Sequence, residues 1–145
     1  MNTAIWSAEI KELETLFSSF KGNIPYLEKE LEPLIKADNA MVVIVYSRRS
    51  LELIVTELCE KELNRLRKTE PLKDIIDKLN NEEKVPSNVT TSMLILNGLS
   101  AYGPNSKDIA VKQVKPVLIN LTKIIRWYLN YKRIPARGSG KLNEG

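Results

Sequence analysis

Apolar residues recur at helical spacing along almost the whole of this chain, in six successive segments. In the first segment, Leu13, Phe17 and Phe20 repeat every three or four residues, while glutamates and lysines fill the other face. No segment alternates apolar and polar residues with the period of two that marks a half-buried strand. The pattern therefore predicts an all-α protein, folded as a helical bundle.

The third segment is the longest, and its beginning is the most apolar part of the chain. Asp38 or Asn39 is placed to cap it, and its apolar positions extend from Ala40 to about Leu66. Because the run from Val42 to Tyr46 is apolar on every side, we expect the start of this helix to be buried all round. Cys59, the single cysteine, is most simply a small core residue on the same helix.

Prolines and glycines mark the boundaries of the shorter helices. Pro33 falls inside the second segment, where we expect it to bend or divide the helix. The sequence Thr69-Glu70-Pro71 is typical of a helix start with threonine as the cap, and Ser87 or Asn88 caps the next helix. We expect Gly98 and Gly103 to break that fifth helix.

The size of the chain, 145 residues, favours one domain with a proper core. We divide it into an N-terminal helical extension (residues 1–36), a bundle of four to five core helices (37–133) and a polar tail or linker (134–145). No apolar run approaches the ~20 residues of a membrane span, and the N-terminus has no basic region followed by an apolar stretch. With a single cysteine, we expect a cytoplasmic protein without membrane contact.

The chain contains no histidine, so it has no imidazole general base and no imidazole metal ligand. A single cysteine also excludes thiolate metal cages, and Cys59 has no histidine to activate it as a nucleophile. We therefore expect no metal site and no cofactor. Binding functions are favoured over enzymatic ones.

Three stretches occur in an order that resembles a known family. They are Tyr46-Ser47-Arg48-Arg49-Ser50-Leu51-Glu52, Lys84-Val85-Pro86, and the turn Leu96–Asn105 followed by Gln113-Val114-Lys115-Pro116-Val117-Leu118 and Ile125-Arg126-Trp127-Tyr128-Leu129. Over residues 37–133 the chain resembles the HEPN superfamily, in an uncharacterised helical branch often attached to bacterial restriction and defence proteins. The resemblance implies a four- or five-helix bundle that commonly pairs through its helices.

The same resemblance implies where catalytic residues would lie. In active HEPN ribonucleases an arginine and a histidine stand at the ends of a polar motif between the last two long helices, and these positions fall on Asn97 and Asn105. Asparagine supplies neither the cation that steadies phosphate nor the imidazole that moves a proton. We therefore expect a remnant site without catalytic residues. Its predicted residues are Arg48, Arg49, Glu52, Asn97, Ser100, Tyr102, Gly103 and Asn105.

Two interpretations of the remnant site stay open. Either Arg48 or Arg49 contacts an anion or nucleotide beside the turn, or Arg48 forms an internal salt bridge to Glu52, one helical turn away. The turn itself either only joins two helices tightly, or binds a small polar or phosphorylated ligand through backbone N–H groups.

Basic side chains follow one face of the last helix. Residues 91–145 hold nine of the 22 Lys and Arg residues but only two of the 18 acidic ones. Trp127 and Tyr131 lie close to this face and are suited to stacking on nucleic acid bases. The same spacing is typical of any solvated amphipathic helix. The predicted basic face consists of Lys112, Lys115, Lys123, Arg126 and Arg133.

These observations favour a non-catalytic helical interaction or dimerisation module in a bacterial defence or regulatory system, acting as a homodimer or on a protein partner. The alternative is RNA or nucleotide binding through the basic face and the turn from Asn97 to Asn105. A ribonuclease with an atypical active site comes third, because it would have to work without histidine.

Overall fold

The structure, a computed structural model, describes residues 6–101 and 107–134. These residues form six α-helices and no strand, which confirms the predicted all-α bundle. The helices are α1 (Ser7–Phe20), α2 (Pro25–Ile35), α3 (Ala40–Glu62), α4 (Leu72–Asn81), α5 (Ser87–Leu99) and α6 (Lys107–Tyr131). None of them is long and apolar enough to cross a bilayer.

The two longest helices, α3 and α6, pack against each other at the centre of the bundle. The α2 helix packs along α3, α5 packs along α6, and α4 lies against both α3 and α5. The α1 helix lies on α6 and α2. One hydrophobic core extends through all six helices, and the N-terminal extension contributes fully buried side chains to it: Leu13, Phe20, Leu27, Leu31 and Leu34.

Local signals fix the starts of α2 and α3. Asn39 caps α3 as predicted, because its Oδ1 accepts the backbone N–H of Val42 at 3.0 Å. Before α2, Gly22 adopts a φ of 94°, in the left-handed region that favours glycine. The Glu28 carboxylate then accepts the N–H groups of Gly22 and Ile24 at 2.9 Å, which ties the turn to the first turn of α2.

Several predicted boundaries are wrong. Pro33 lies near the end of an undivided α2, where its missing N–H removes only one late hydrogen bond. The α3 helix ends at Glu62 rather than near Leu66, because Asn64 turns to a φ of 58°. Leu66 lies in the following loop with 61% of its surface exposed. Gly98 does not break α5, which continues to Leu99.

The predicted caps of α4 and α5 are also wrong. Pro71 and Pro86 themselves occupy the N-cap positions, in extended conformations, and neither helix has a side-chain cap. Thr69 therefore stands outside the cap of α4. Ser87 is the first residue of α5 rather than the residue before it.

The beginning of α3 is less buried than its sequence predicts. Val43 and Ile44 are in the core, but Val45 is 45% exposed, and Met41, Val42 and Tyr46 are only half-buried. The neighbouring helices cover the inner side of α3 and leave its other side open to solvent. An apolar stretch suited to burial all round is thus covered on one side.

Candidate functional site

Arg48 joins α3 to the last turn of α5. Its Nη1 donates to the carbonyl oxygen of Asn97 at 3.2 Å, to Asn97 Oδ1 at 3.1 Å and to Ser100 Oγ at 3.2 Å. Its Nε lies 3.6 Å from the Glu52 carboxylate, one turn further along α3. We call these four residues the Arg48 cluster. Ser100 is buried and donates its own proton to the Leu96 carbonyl at 2.6 Å, so its oxygen can accept from Arg48.

Arg48 has a structural role, because it donates to a carbonyl group in the last turn of α5. The last carbonyl groups of a helix have no partner within the helix and carry a partial negative charge. The Arg48 guanidinium meets this end of α5 at Asn97, and it also forms the predicted internal pair with Glu52. Contact of this site with an outside anion stays a prediction. Tyr102, Gly103 and Asn105, the other residues predicted here, lie outside the described residues.

The structure does not bring Arg49 to the Arg48 cluster. Its Nε donates to the Glu30 carboxylate on α2 at 2.7 Å, and its guanidinium lies 5.3 Å from the centre of the Tyr46 ring. The hydrogen bond and the charge of Glu30 raise the pKa of Arg49 above its ordinary value. Glu30 is nearly buried while Arg49 is 54% exposed. Adjacent residues of a helix point about 100° apart, which separates the two arginines.

We expect an Arg48→Gln variant to lose about 1–2 kcal/mol of unfolding free energy, because Ser100 and Asn97 lose a charged donor. Urea titration followed by circular dichroism measures the loss. Lys123→Gln, an exposed substitution on α6, is the control and should change stability by less than about 0.5 kcal/mol. Equal stability of both variants would show that the Arg48 cluster adds nothing to the fold.

A second polar cluster, which the sequence patterns did not indicate, joins α2, α3 and α6. Tyr128 donates to Glu57 Oε1, and Lys132 Nζ donates to Glu57 Oε2 at 2.6 Å. The Tyr26 hydroxyl lies 3.0 Å from Glu57 Oε1 and 2.7 Å from the Tyr128 hydroxyl. Its one proton therefore serves one of these two oxygens. We call Tyr26, Glu57, Tyr128 and Lys132 the Glu57 cluster.

The contacts within the cluster shift the pKa values of Glu57, Tyr128 and Lys132. Burial alone would raise the pKa of Glu57, but the hydrogen bonds from Lys132, Tyr128 and Tyr26 together outweigh it and lower that pKa. Burial, then the bond to Glu57, raises the pKa of Tyr128 far above its ordinary value. The bond to Glu57 raises the pKa of Lys132. At neutral pH Glu57 is thus a carboxylate, Lys132 an ammonium and Tyr128 a neutral phenol.

An open groove of about 760 Å³ runs along α3 beside both α2 and the end of α6. Residues of both charges line it, among them Glu30, Arg49, Glu52 and Lys132, and Leu53 adds apolar surface. We call it the α3 groove. Among the described side chains, no group of three or more carboxylates or cysteines is placed to hold a metal ion.

The basic face of α6 is exposed as the sequence predicts. The predicted residues that lie on α6 and are exposed are Lys112, Lys115, Lys123 and Arg126. Arg133 is also exposed, but its place on the helix face is predicted wrongly, because α6 ends at Tyr131 and Arg133 lies in the following turn with a φ of 60°. Arg126 is paired with Glu12 on α1, at 2.8 Å. Trp127 stacks on Tyr131 at 5.1 Å between ring centres, and both rings pack partly against the core.

Comparison of the chain with models of known families, with characterised proteins and with solved structures gives no match. The two clusters, the α3 groove and the open side of α3 are therefore the features from which a function can be argued.

Proposed function

We propose that this chain is a non-catalytic helical interaction module that pairs with a second copy of itself. The observation that carries the proposal is the start of α3, where the run from Val42 to Tyr46 is apolar all round yet leaves Val45 45% exposed. Transfer of such surface from water into a protein contact is favourable, at about 25 cal/mol per Å². The HEPN resemblance adds pairing through helices and a bacterial defence or regulatory setting as expectations.

The state of the polar clusters supports the non-catalytic part of the proposal. The donors of Arg48 are directed at acceptors of the same chain, and the Glu57 carboxylate accepts from Tyr128 and Lys132. A general base needs a carboxylate or amine that is free to take a proton near neutral pH. The Glu57 pKa is lowered and the Lys132 pKa is raised, so both shifts are opposite to that need.

Sedimentation of the whole chain over a wide concentration range tests self-association. We expect the average mass to rise from the 16.5 kDa of one chain towards twice that value as concentration increases. The rise should persist at high salt, because apolar burial is screened less than charge pairing. A single species of one-chain mass at all concentrations would contradict the proposal.

RNA or nucleotide binding by the basic face is the second candidate. It is favoured by Lys112, Lys115 and Lys123, which are exposed and form no ion pair with a side chain that the structure describes. The internal stacking of Trp127 on Tyr131 and the pairing of Arg126 with Glu12 weaken it. An atypical ribonuclease remains third, because no histidine is present.

We expect any binding of labelled single-stranded RNA to this face to weaken steeply with salt. Each phosphate contact contributes about −0.7 to the slope of log affinity against log salt. Replacing Lys112, Lys115 and Lys123 together by glutamine should therefore make that slope shallower by about 2. Fluorescence anisotropy at several salt concentrations measures it. Binding that responds to neither salt nor the triple substitution would remove this candidate.

A further inference from the structure

We infer that the second copy binds to the outer face of α3, in antiparallel orientation about a two-fold axis. The outer face consists of Val42, Val45, Arg49, Glu52 and Thr56, each half-buried or exposed in one copy. The inference rests on the proposed self-association and deepens it, because it names the surface and the orientation of the partner.

The spacing of the outer face is that of a helix pairing seam. Its residues follow one another at intervals of three, four, three and four, which keeps them in one stripe facing a second helix. The opposite side of α3 already belongs to the core, through Leu51, Ile54 and Leu58. Four other large apolar residues among those described are exposed to a similar or greater degree than Val45, namely Tyr26, Leu66, Ile95 and Ile119. Tyr26 belongs to the Glu57 cluster and Leu66 lies in the loop after α3. Ile119 stands between Lys115 and Lys123 on the basic face, so it has no apolar stripe around it.

The charges of the outer face decide the orientation. In a parallel pair, Arg49 would meet Arg49 and Glu52 would meet Glu52, which is unfavourable. An antiparallel pair centred between these residues places Arg49 of each copy opposite Glu52 of the other, twice around the axis. The same register places Val45 opposite Thr56. Within one copy Arg49 is paired with Glu30 and Glu52 with Arg48. Their side chains are still 54% and 41% exposed, so each also presents charge to the solvent side, where the other copy would lie.

The α3 groove provides room for the partner beside this stripe. Arg49, Glu52 and Thr56 line it, and Leu53 extends the apolar surface next to them. In this register the α3 groove of each copy faces the outer face of the other copy. Both surfaces carry positive and negative side chains, since Arg49 and Glu52 belong to each of them. Such self-complementarity is what a two-fold contact between identical surfaces requires.

Disulfide formation between two variants, each with one added cysteine, tests the register. We mix whole chains carrying Val45→Cys with whole chains carrying Thr56→Cys and oxidise them; Cys59 is buried in both. The antiparallel register predicts that the mixed disulfide forms in clear excess over either homodimer. The two Val45 positions would lie eleven residues apart along the axis, about 16 Å, which is too far for a disulfide. Preferred disulfides between identical variants would overturn the orientation.

A matched pair of variants tests the surface itself. Val45→Asp should raise the dissociation constant of the dimer by at least about tenfold, because two unpaired carboxylates enter each contact. Ile95→Asp, at a site of similar exposure on α5, should leave it unchanged. Circular dichroism confirms that both variants fold. If the native chain associates but both variants associate equally well, the outer face is not the contact, while the proposed function stands. If the native chain does not associate at all, the proposed function itself fails.

Discussion

We expect the Glu57→Ala variant to lose about 3 kcal/mol of unfolding free energy. The substitution leaves Lys132 without its carboxylate. It also removes the charged acceptor of the Tyr128 hydroxyl, so this fully buried residue keeps only the Tyr26 hydroxyl as a described partner. A buried donor that loses its partner carries the full cost of its lost hydration. Urea unfolding at neutral pH measures the change. Glu60→Ala, an exposed substitution on the same helix, is the control.

The Glu57→Gln variant separates the charge of Glu57 from its shape. Because the folded pKa of Glu57 is below its ordinary value of 4.5, its charge stabilises the fold above that pH. This stabilisation is lost as pH falls through the folded pKa. The difference in unfolding free energy between the native chain and Glu57→Gln should therefore be steady near neutral pH and shrink as the pH falls below 4.5. A difference that stays constant into that range would show that the charge contributes nothing.

Features of this fold that depend on a few neighbouring residues, such as a helix cap and the apolar face of a helix, can be predicted from the sequence. Asn39 begins α3 because its side chain caps a backbone N–H three residues on, a signal contained within four residues. The apolar spacing of Leu13, Phe17 and Phe20 places all three in the core. Where the sequence signal was ambiguous, as at Pro33, Gly98 and Leu66, the helix boundaries came out differently. Single prolines and glycines are tolerated near a helix end, so they do not fix the boundary there.

Contacts between residues that are far apart in the sequence are harder to predict. Tyr26 and Tyr128 meet across 102 residues, and the spacing of α6 marks Tyr128 only as an inward position. A tyrosine at such a position needs a partner for its hydroxyl, which is the one signal that pointed towards a polar cluster. Nothing in the sequence identified Glu57 as that partner. The HEPN resemblance placed Arg48, Asn97 and Ser100 in one predicted site, but it did not predict that Arg48 donates to the other two.

The start of α3 shows a different limit. The apolar sequence predicts that this part of the helix is buried on every side. It does not predict whether the residues that bury it belong to the same chain or to a second one. Within one chain the start of α3 is only partly buried, and Val45 remains exposed to solvent. The difference between the prediction and the fold is therefore informative, because a second copy would remove it.

The Phe20→Ala variant should lose about 4 kcal/mol of unfolding free energy, the typical cost of removing a fully buried ring. Phe20 contacts Phe17 edge-on at 5.8 Å between ring centres and belongs to the same core as α3 and α6. Because this core is continuous, the loss should appear in one transition. Hydrogen exchange should show α6 amides losing protection together with those of α1. Ser18→Ala, an exposed change two residues away, is the control. Unchanged protection in α6 would show that residues 1–36 form a separate folding unit, and that the bundle over 37–133 is stable without them.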